Sequence, residues 1–129
     1  MMNMVNTADK FERRRQKRFK AQEGAFAALV NPCSQLGQIK DISKLGLSFQ
    51  YIETEDRPQE ACELKIILGS HGLYIDKLPY ETITDIEISS EYSFSSIKMR
   101  QVSLKFGQLT PAQQARLENF ISNHTVGEV

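Results

Sequence analysis

Hydrophobic residues recur mostly at every second position along this 129-residue chain, in short runs separated by turn-forming residues. That is the spacing of strands that bury one face of a pleated sheet. Phe26, Ala28 and Val30 share one face of a first candidate strand, which Asn31-Pro32 ends because proline has no N–H to give to a ladder. Gly37 opens a second, and Leu47, Phe49 and Tyr51 alternate with Ser48 and Gln50 as a half-buried strand. Leu64, Ile66 and Leu68 repeat the pattern up to Gly69-Ser70-His71-Gly72, a turn that predicts a hairpin whose second arm runs through Leu73 and Ile75 to Pro79. Ile83, Ile86 and Ile88 belong to a further strand, and the slip of parity between 83 and 86 is the mark of a bulge. Tyr92 to Ser96 read as a polar hairpin loop, and Val102, Leu104 and Phe106 line one side of the last strand.

The period then changes. Thr110-Pro111-Ala112-Gln113 offers an N-cap hydroxyl, proline at the first helical position and glutamine at N3, a capping-box pattern. Leu117, Phe120 and Ile121 follow at helical spacing, with Asn123 as terminator. Six or seven short strands and one closing helix predict an all-β domain, a small antiparallel barrel whose closure removes exposed edges, with the helix across one end. The expected organisation is a basic arm over 1–22, a barrel over 23–109, a helix over 110–123 and a tail over 124–129.

Composition narrows the class. Hydrophobic residues are 40% and charged residues 25%, a globular balance that argues against disorder or a fibrous repeat. No apolar run reaches the 18 or so residues of a membrane span, and the N-terminal segment lacks the hydrophobic stretch of a signal peptide, so a cytoplasmic protein without membrane insertion is expected. Cys33 and Cys62 are too few and too far apart for a disulfide framework or a zinc site, and are expected to be reduced, buried small hydrophobes. His71 and His124 have no Cys, Asp or Glu at a metal-ligand interval and read as a turn and a tail histidine. No GxSxG, HExxH or P-loop pattern occurs, and no nucleophile–base pairing is legible, so catalysis is not expected.

Charge is divided rather than balanced. Residues 1–20 hold seven basic and two acidic side chains, and the rest nine and fourteen, so a +5 arm precedes a −5 body. An acidic body argues against general nucleic-acid binding, for which a basic face over the folded part is the usual footprint. A helical arm would stack Arg13, Arg14, Arg15, Lys17 and Arg18 as like charges at i,i+4, so an extended or partly helical arm is expected in the free chain.

Two clusters carry chemistry: Arg14-Arg15-Gln16-Lys17-Arg18 and Asp41-Ile42-Ser43-Lys44-Leu45-Gly46. In the second, Asp41 and Ser43 are two apart on a strand end and share a side while Ile42 turns inward, and Gly46 permits a positive φ or a close backbone approach. Read as RxxxR followed by DxSxxG, the pair resembles the signature of the PilZ domain family, whose members bind the bacterial second messenger cyclic di-GMP. The resemblance extends to Val102-Ser103-Leu104-Lys105-Phe106-Gly107, which is similar to the family's last strand. It implies a six-stranded antiparallel barrel with a C-terminal helix. It further implies that Arg14 and Arg18 are the principal ligand arginines and that Asp41, Ser43 and Gly46 are their partners on the barrel. Arg13 is compatible with an intercalated pair of ligands. Arginine suits the task because its planar fork meets phosphates and the guanine O6/N7 edge bidentately, while Asp41 and Ser43 can accept from the guanine N–H edge. One departure from the family pattern is Leu47, where many members have a second glycine.

The resemblance thus implies a cytoplasmic receptor for cyclic di-GMP that changes the conformation of its arm and signals to an unidentified downstream protein. The alternatives are a degenerate PilZ interaction module without ligand and a nucleic-acid-binding module using the arm.

Overall fold

A computed structural model of the chain describes residues 17–53, 62–88 and 98–129. Among these the elements run β1 (Phe19–Ala21), β2 (Ala25–Val30), β3 (Ser34–Ile42), β4 (Gly46–Ile52), β5 (Glu63–Leu68), β6 (Gly72–Leu78), β7 (Tyr80–Ile88), β8 (Met99–Phe106), α1 (Pro111–Asn123) and β9 (Thr125–Glu128). Every pairing is antiparallel, in the order β6-β5-β2-β3-β4-β8-β7. Strand β1 takes over beside β3 where β2 leaves off, pairing Phe19 with Ile42 and Lys20 with Asp41, and β9 lies outside β1.

The core is the inner face of this curled sheet. Leu47, Phe49 and Tyr51 of β4, Leu64, Ile66 and Leu68 of β5, and Val102, Leu104 and Phe106 of β8 are all buried in it, as their alternation predicts. Strand β2 turns the other way from the expected face: Ala25, Ala27 and Leu29 point into the core while Phe26 and Val30 are half-buried outside. The physical reason is that Ala25–Val30 has no polar residue, so its alternation cannot choose a side. Gly37 lies inside β3 rather than at its start, where a Cβ would come within 1.9 Å of the Gln50 carbonyl oxygen on β4. The expected bulge in β7 is present, between Thr82 and Thr84. Residues 92–96 lie outside the described residues.

Three further expectations are corrected. The sheet is not closed into a barrel: among the described residues its two end strands, β6 and β7, do not pair with each other. Alternation finds β2 to β8 but misses the two short strands β1, inside the expected arm, and β9, and it does not decide closure. Here Lys77, at φ 50°, and Pro79 turn the chain from one end of the sheet to the other, and the Gly107 N–H donates to the Pro79 carbonyl to anchor that corner on β8. Helix α1 reaches the same corner, because Gln113 Nε2 donates to the Asp76 and Lys77 carbonyls at the end of β6.

The second correction concerns the cysteines, which are not far apart in space: Cys33 and Cys62 are joined as a disulfide in the structure, across a Cα–Cα distance of 5.7 Å. Their separation in sequence conceals the contact, which the β2–β5 ladder makes by pairing Val30 with Glu63 just inside them. The third is the segment after the helix, where Thr125–Glu128 form β9 on β1. His124 is the C-cap of α1, and its ring packs against Tyr74 and Phe120.

The helix itself starts as predicted. Thr110 Oγ1 accepts from the Gln113 N–H, and the Gln113 side chain accepts from the Thr110 N–H. Leu117 and Phe120 are fully buried, so α1 is held by packing as well as by its cap. No helix among the described residues is long and apolar enough to cross a membrane.

Candidate functional site

The site is assembled where β1, the β3–β4 turn and β8 meet. A bulge between Ile39 and Asp41 lets both Ile39 and Ile42 enter the core and leaves Asp41 on the outer face. There Asp41 pairs in register with Lys20 on one side and Ser48 on the other, and Ser48 pairs in turn with Ser103. Cross-strand partners share a face, so Asp41, Ser48 and Ser103 form a polar row over the outside of the sheet.

The turn after Ile42 is closed by its own first residue. The Ser43 N–H donates to the Gly46 carbonyl at 2.8 Å, and the Leu45 N–H donates to Ser43 Oγ at 3.1 Å. The serine is buried and braces the turn while keeping its own O–H to donate. Gly46 is needed here for space: a Cβ would sit 2.0 Å from the Leu104 carbonyl oxygen, where β4 passes β8. Of the two roles expected for this glycine, close approach is the one observed.

Arg18 approaches from β1. Its carbonyl accepts from the Val129 N–H beyond β9 at 2.9 Å, and its guanidinium Nη1 lies 3.6 Å from Asp41 Oδ1. The Arg18 side chain is 61% exposed, and an ion pair of this kind contributes about 0–1 kcal/mol, weak enough to be exchanged for an anion. Arg18, Ser43 and Gly46 then line one cavity of about 230 Å³ together with Leu45, Leu47, Ile83, Ser103, Leu104 and Lys105. Drug-sized ligand pockets begin near about 300 Å³, so this cavity is large enough to enclose only part of such a ligand.

Four of the expected site residues are therefore brought together: Arg18 joined to Asp41, with Ser43 and Gly46 on the same cavity. Arg13 and Arg14 lie outside the described residues. Sequence reasoning left out Leu45, Ile83, Ser103 and Lys105. The signal for Ser103 and Lys105 was available, since alternation sends them to the opposite face from Val102, Leu104 and Phe106. Ile83 had none, because it occupies the bulge.

A second polar cluster lies five residues along β8, about 17 Å away at strand rise. Arg100 Nε donates to Asp85 Oδ1 at 2.7 Å, Nη2 donates to the Asp85 carbonyl and Nη1 reaches Glu53, while Tyr51 Oη donates to Asp85 Oδ2. The Asp85 hydrogen bond raises the Arg100 pKa further, so the guanidinium is charged at any working pH. This cluster pins β4, β7 and β8 together at their far end and takes no part in the cavity.

No protein-family model and no curated protein matches the chain. Among solved structures it is similar to "PilZ domain with c-di-GMP of YcgR from Escherichia coli", with a TM-score of 0.63 and 19% identity over 87% of this chain and 91% of that one. The fold is of PilZ type, as the motif resemblance implies.

Proposed function

We propose that the chain is a receptor for cyclic di-GMP, without catalytic activity, that passes the signal on through its N-terminal arm. The observation that carries this reading is the convergence of Arg18, Ser43 and Gly46 on one cavity, with Asp41 bound to the arginine, in a fold shared with a PilZ domain whose structure was determined with that nucleotide. On binding, a phosphate or the guanine acceptor edge takes the Arg18 guanidinium from Asp41. The freed carboxylate and the Ser43 hydroxyl then face the ligand. Arg13 and Arg14 close from the arm.

Ordering a free six-residue segment costs about 6 to 12 kcal/mol, against about 8 kcal/mol of net binding in a micromolar complex. Strand β1 and the Val129 hydrogen bond already hold Arg18, which removes part of that cost. The arm then acts as the switch, and the surface it uncovers or creates is read by a downstream protein in the cytoplasm. Duplex DNA is not a partner on this reading.

Calorimetry on the full chain tests it. Cyclic di-GMP is expected to bind while GTP and GMP do not, and Arg18→Ala is expected to weaken binding by about 10-fold to 150-fold, the loss of a charge-assisted hydrogen bond. No heat at saturating cyclic di-GMP, or an Arg18→Ala variant that binds as well as the parent, would reject the reading.

A further inference from the structure

We propose that β8 supplies an anion subsite to this cavity, in which the Lys105 ammonium meets a phosphate of the cyclic dinucleotide; the inference rests on the receptor reading above. The motif residues occupy one wall, from β1 and the β3–β4 turn. The opposite wall is Ser103 and Lys105 of β8, and the exposed apolar side chains of Leu45 and Ile83 stand beside it, each more than half exposed. Cation, hydroxyl and apolar surface in so small a space are the chemistry of a phosphate with its attached base.

Register places Lys105 directly opposite Gly46, so the one side chain that would stand beside it on β4 is missing. The same absence that lets β4 and β8 approach leaves the lysine stem open to the cavity. Lys105 also differs from other lysines in its lack of a nearby carboxylate. Lys17, Lys44, Lys65 and Lys98 each have a carboxylate within 4.0 Å, whereas Lys20, Lys40, Lys77 and Lys105 have none among the described residues. Of those four, Lys105 is the one that lines the cavity. Its cross-strand neighbour on β7, Glu81, is exposed and forms no ion pair with it, so the ammonium remains available to an incoming anion.

Beneath the sheet surface next to this wall lies one buried hydroxyl without a partner. Ser48, 1% exposed, lies between Asp41 and Ser103 in register, and its Oγ has no hydrogen-bond partner among the described residues. A buried hydroxyl without a partner is uncommon. It lies in the row joining Asp41 to Ser103 but does not line the cavity, so it belongs to the sheet beneath the site rather than to the ligand contacts.

The test is calorimetry of the full chain with cyclic di-GMP, alongside thermal melts to show that each variant is folded. Lys105→Ala is expected to weaken binding about 10-fold, whereas Lys105→Arg, which keeps the charge, stays within about 2-fold of the parent. Glu81→Gln, which removes a competing carboxylate, is expected to bind at least as tightly as the parent. If the parent binds and Lys105→Ala binds equally well, or Lys105→Arg loses as much as Lys105→Ala, the β8 subsite is overturned and the receptor reading stands. If the parent does not bind, both are overturned.

Discussion

Gly46 carries two demands at once, and both come from what it lacks. Its missing side chain lets β4 pass within contact of the Leu104 backbone, and it leaves open the space between the Ser43 turn and Lys105. The atom that an added Cβ would strike is a backbone carbonyl, which cannot rotate aside as a side chain could. Gly46→Ala is therefore expected to push β4 from β8 and to cost about 1 to 3 kcal/mol, the usual range for overpacking. Urea melts would measure this, and an unchanged midpoint would show that the strands accommodate the methyl group. Arg18 contrasts with it: its side chain is mostly exposed and its Asp41 pair is weak, so its replacement is expected to change binding much more than stability. Those two outcomes separate a residue that shapes the site from one that contacts the ligand.

At the scale of elements, the chain is held by contacts that bring distant segments side by side. Strand β1 is only three residues long, yet it is paired on both sides, by β3 and by β9. This double pairing is what makes the base of the arm a fixed point next to the cavity. The Cys33–Cys62 bond does comparable work at the other end of β2, closing a loop with a sequence separation of 29 residues. By chain entropy, such a loop is stabilised by about 3 to 4 kcal/mol when closed. Replacing both cysteines by serine is expected to lower stability by about that amount in urea, and reductant should shift the parent to match. Equal melts with and without reductant would show that the bond contributes nothing to the folded state. Helix α1 is tied in through Gln113, whose side chain serves its own cap and the end of β6 together.

For the whole molecule, a +5 segment joined to a −5 body is attracted to it in the absence of any ligand, so on the receptor reading an anionic nucleotide adds directed contacts to the arginines while screening that general attraction. On the receptor reading, cyclic di-GMP is expected to slow trypsin cleavage after Arg13 to Lys17 while leaving the body unaffected, and equal cleavage with and without nucleotide would remove the arm from the mechanism. A cytoplasmic setting would also keep the cysteines reduced, so thiol labelling of protein taken directly from cells decides whether the observed bond belongs to its working state. Much of this was legible in the amino-acid order. The alternation of Leu47 to Tyr51, Leu64 to Leu68 and Val102 to Phe106, the Thr110 cap, the β7 bulge and the chemistry of Arg18, Asp41, Ser43 and Gly46 are properties of neighbours along the chain, set by which way successive side chains point and which groups they carry. The buried face of β2, the union of Cys33 with Cys62, the strand made from Thr125–Glu128, the open ends at β6 and β7 and the placement of Lys105 across from Gly46 were decided by the tertiary structure alone. Each depends on which strand lies beside which, and that choice follows from burial summed over the entire sheet, a quantity no local window of sequence contains.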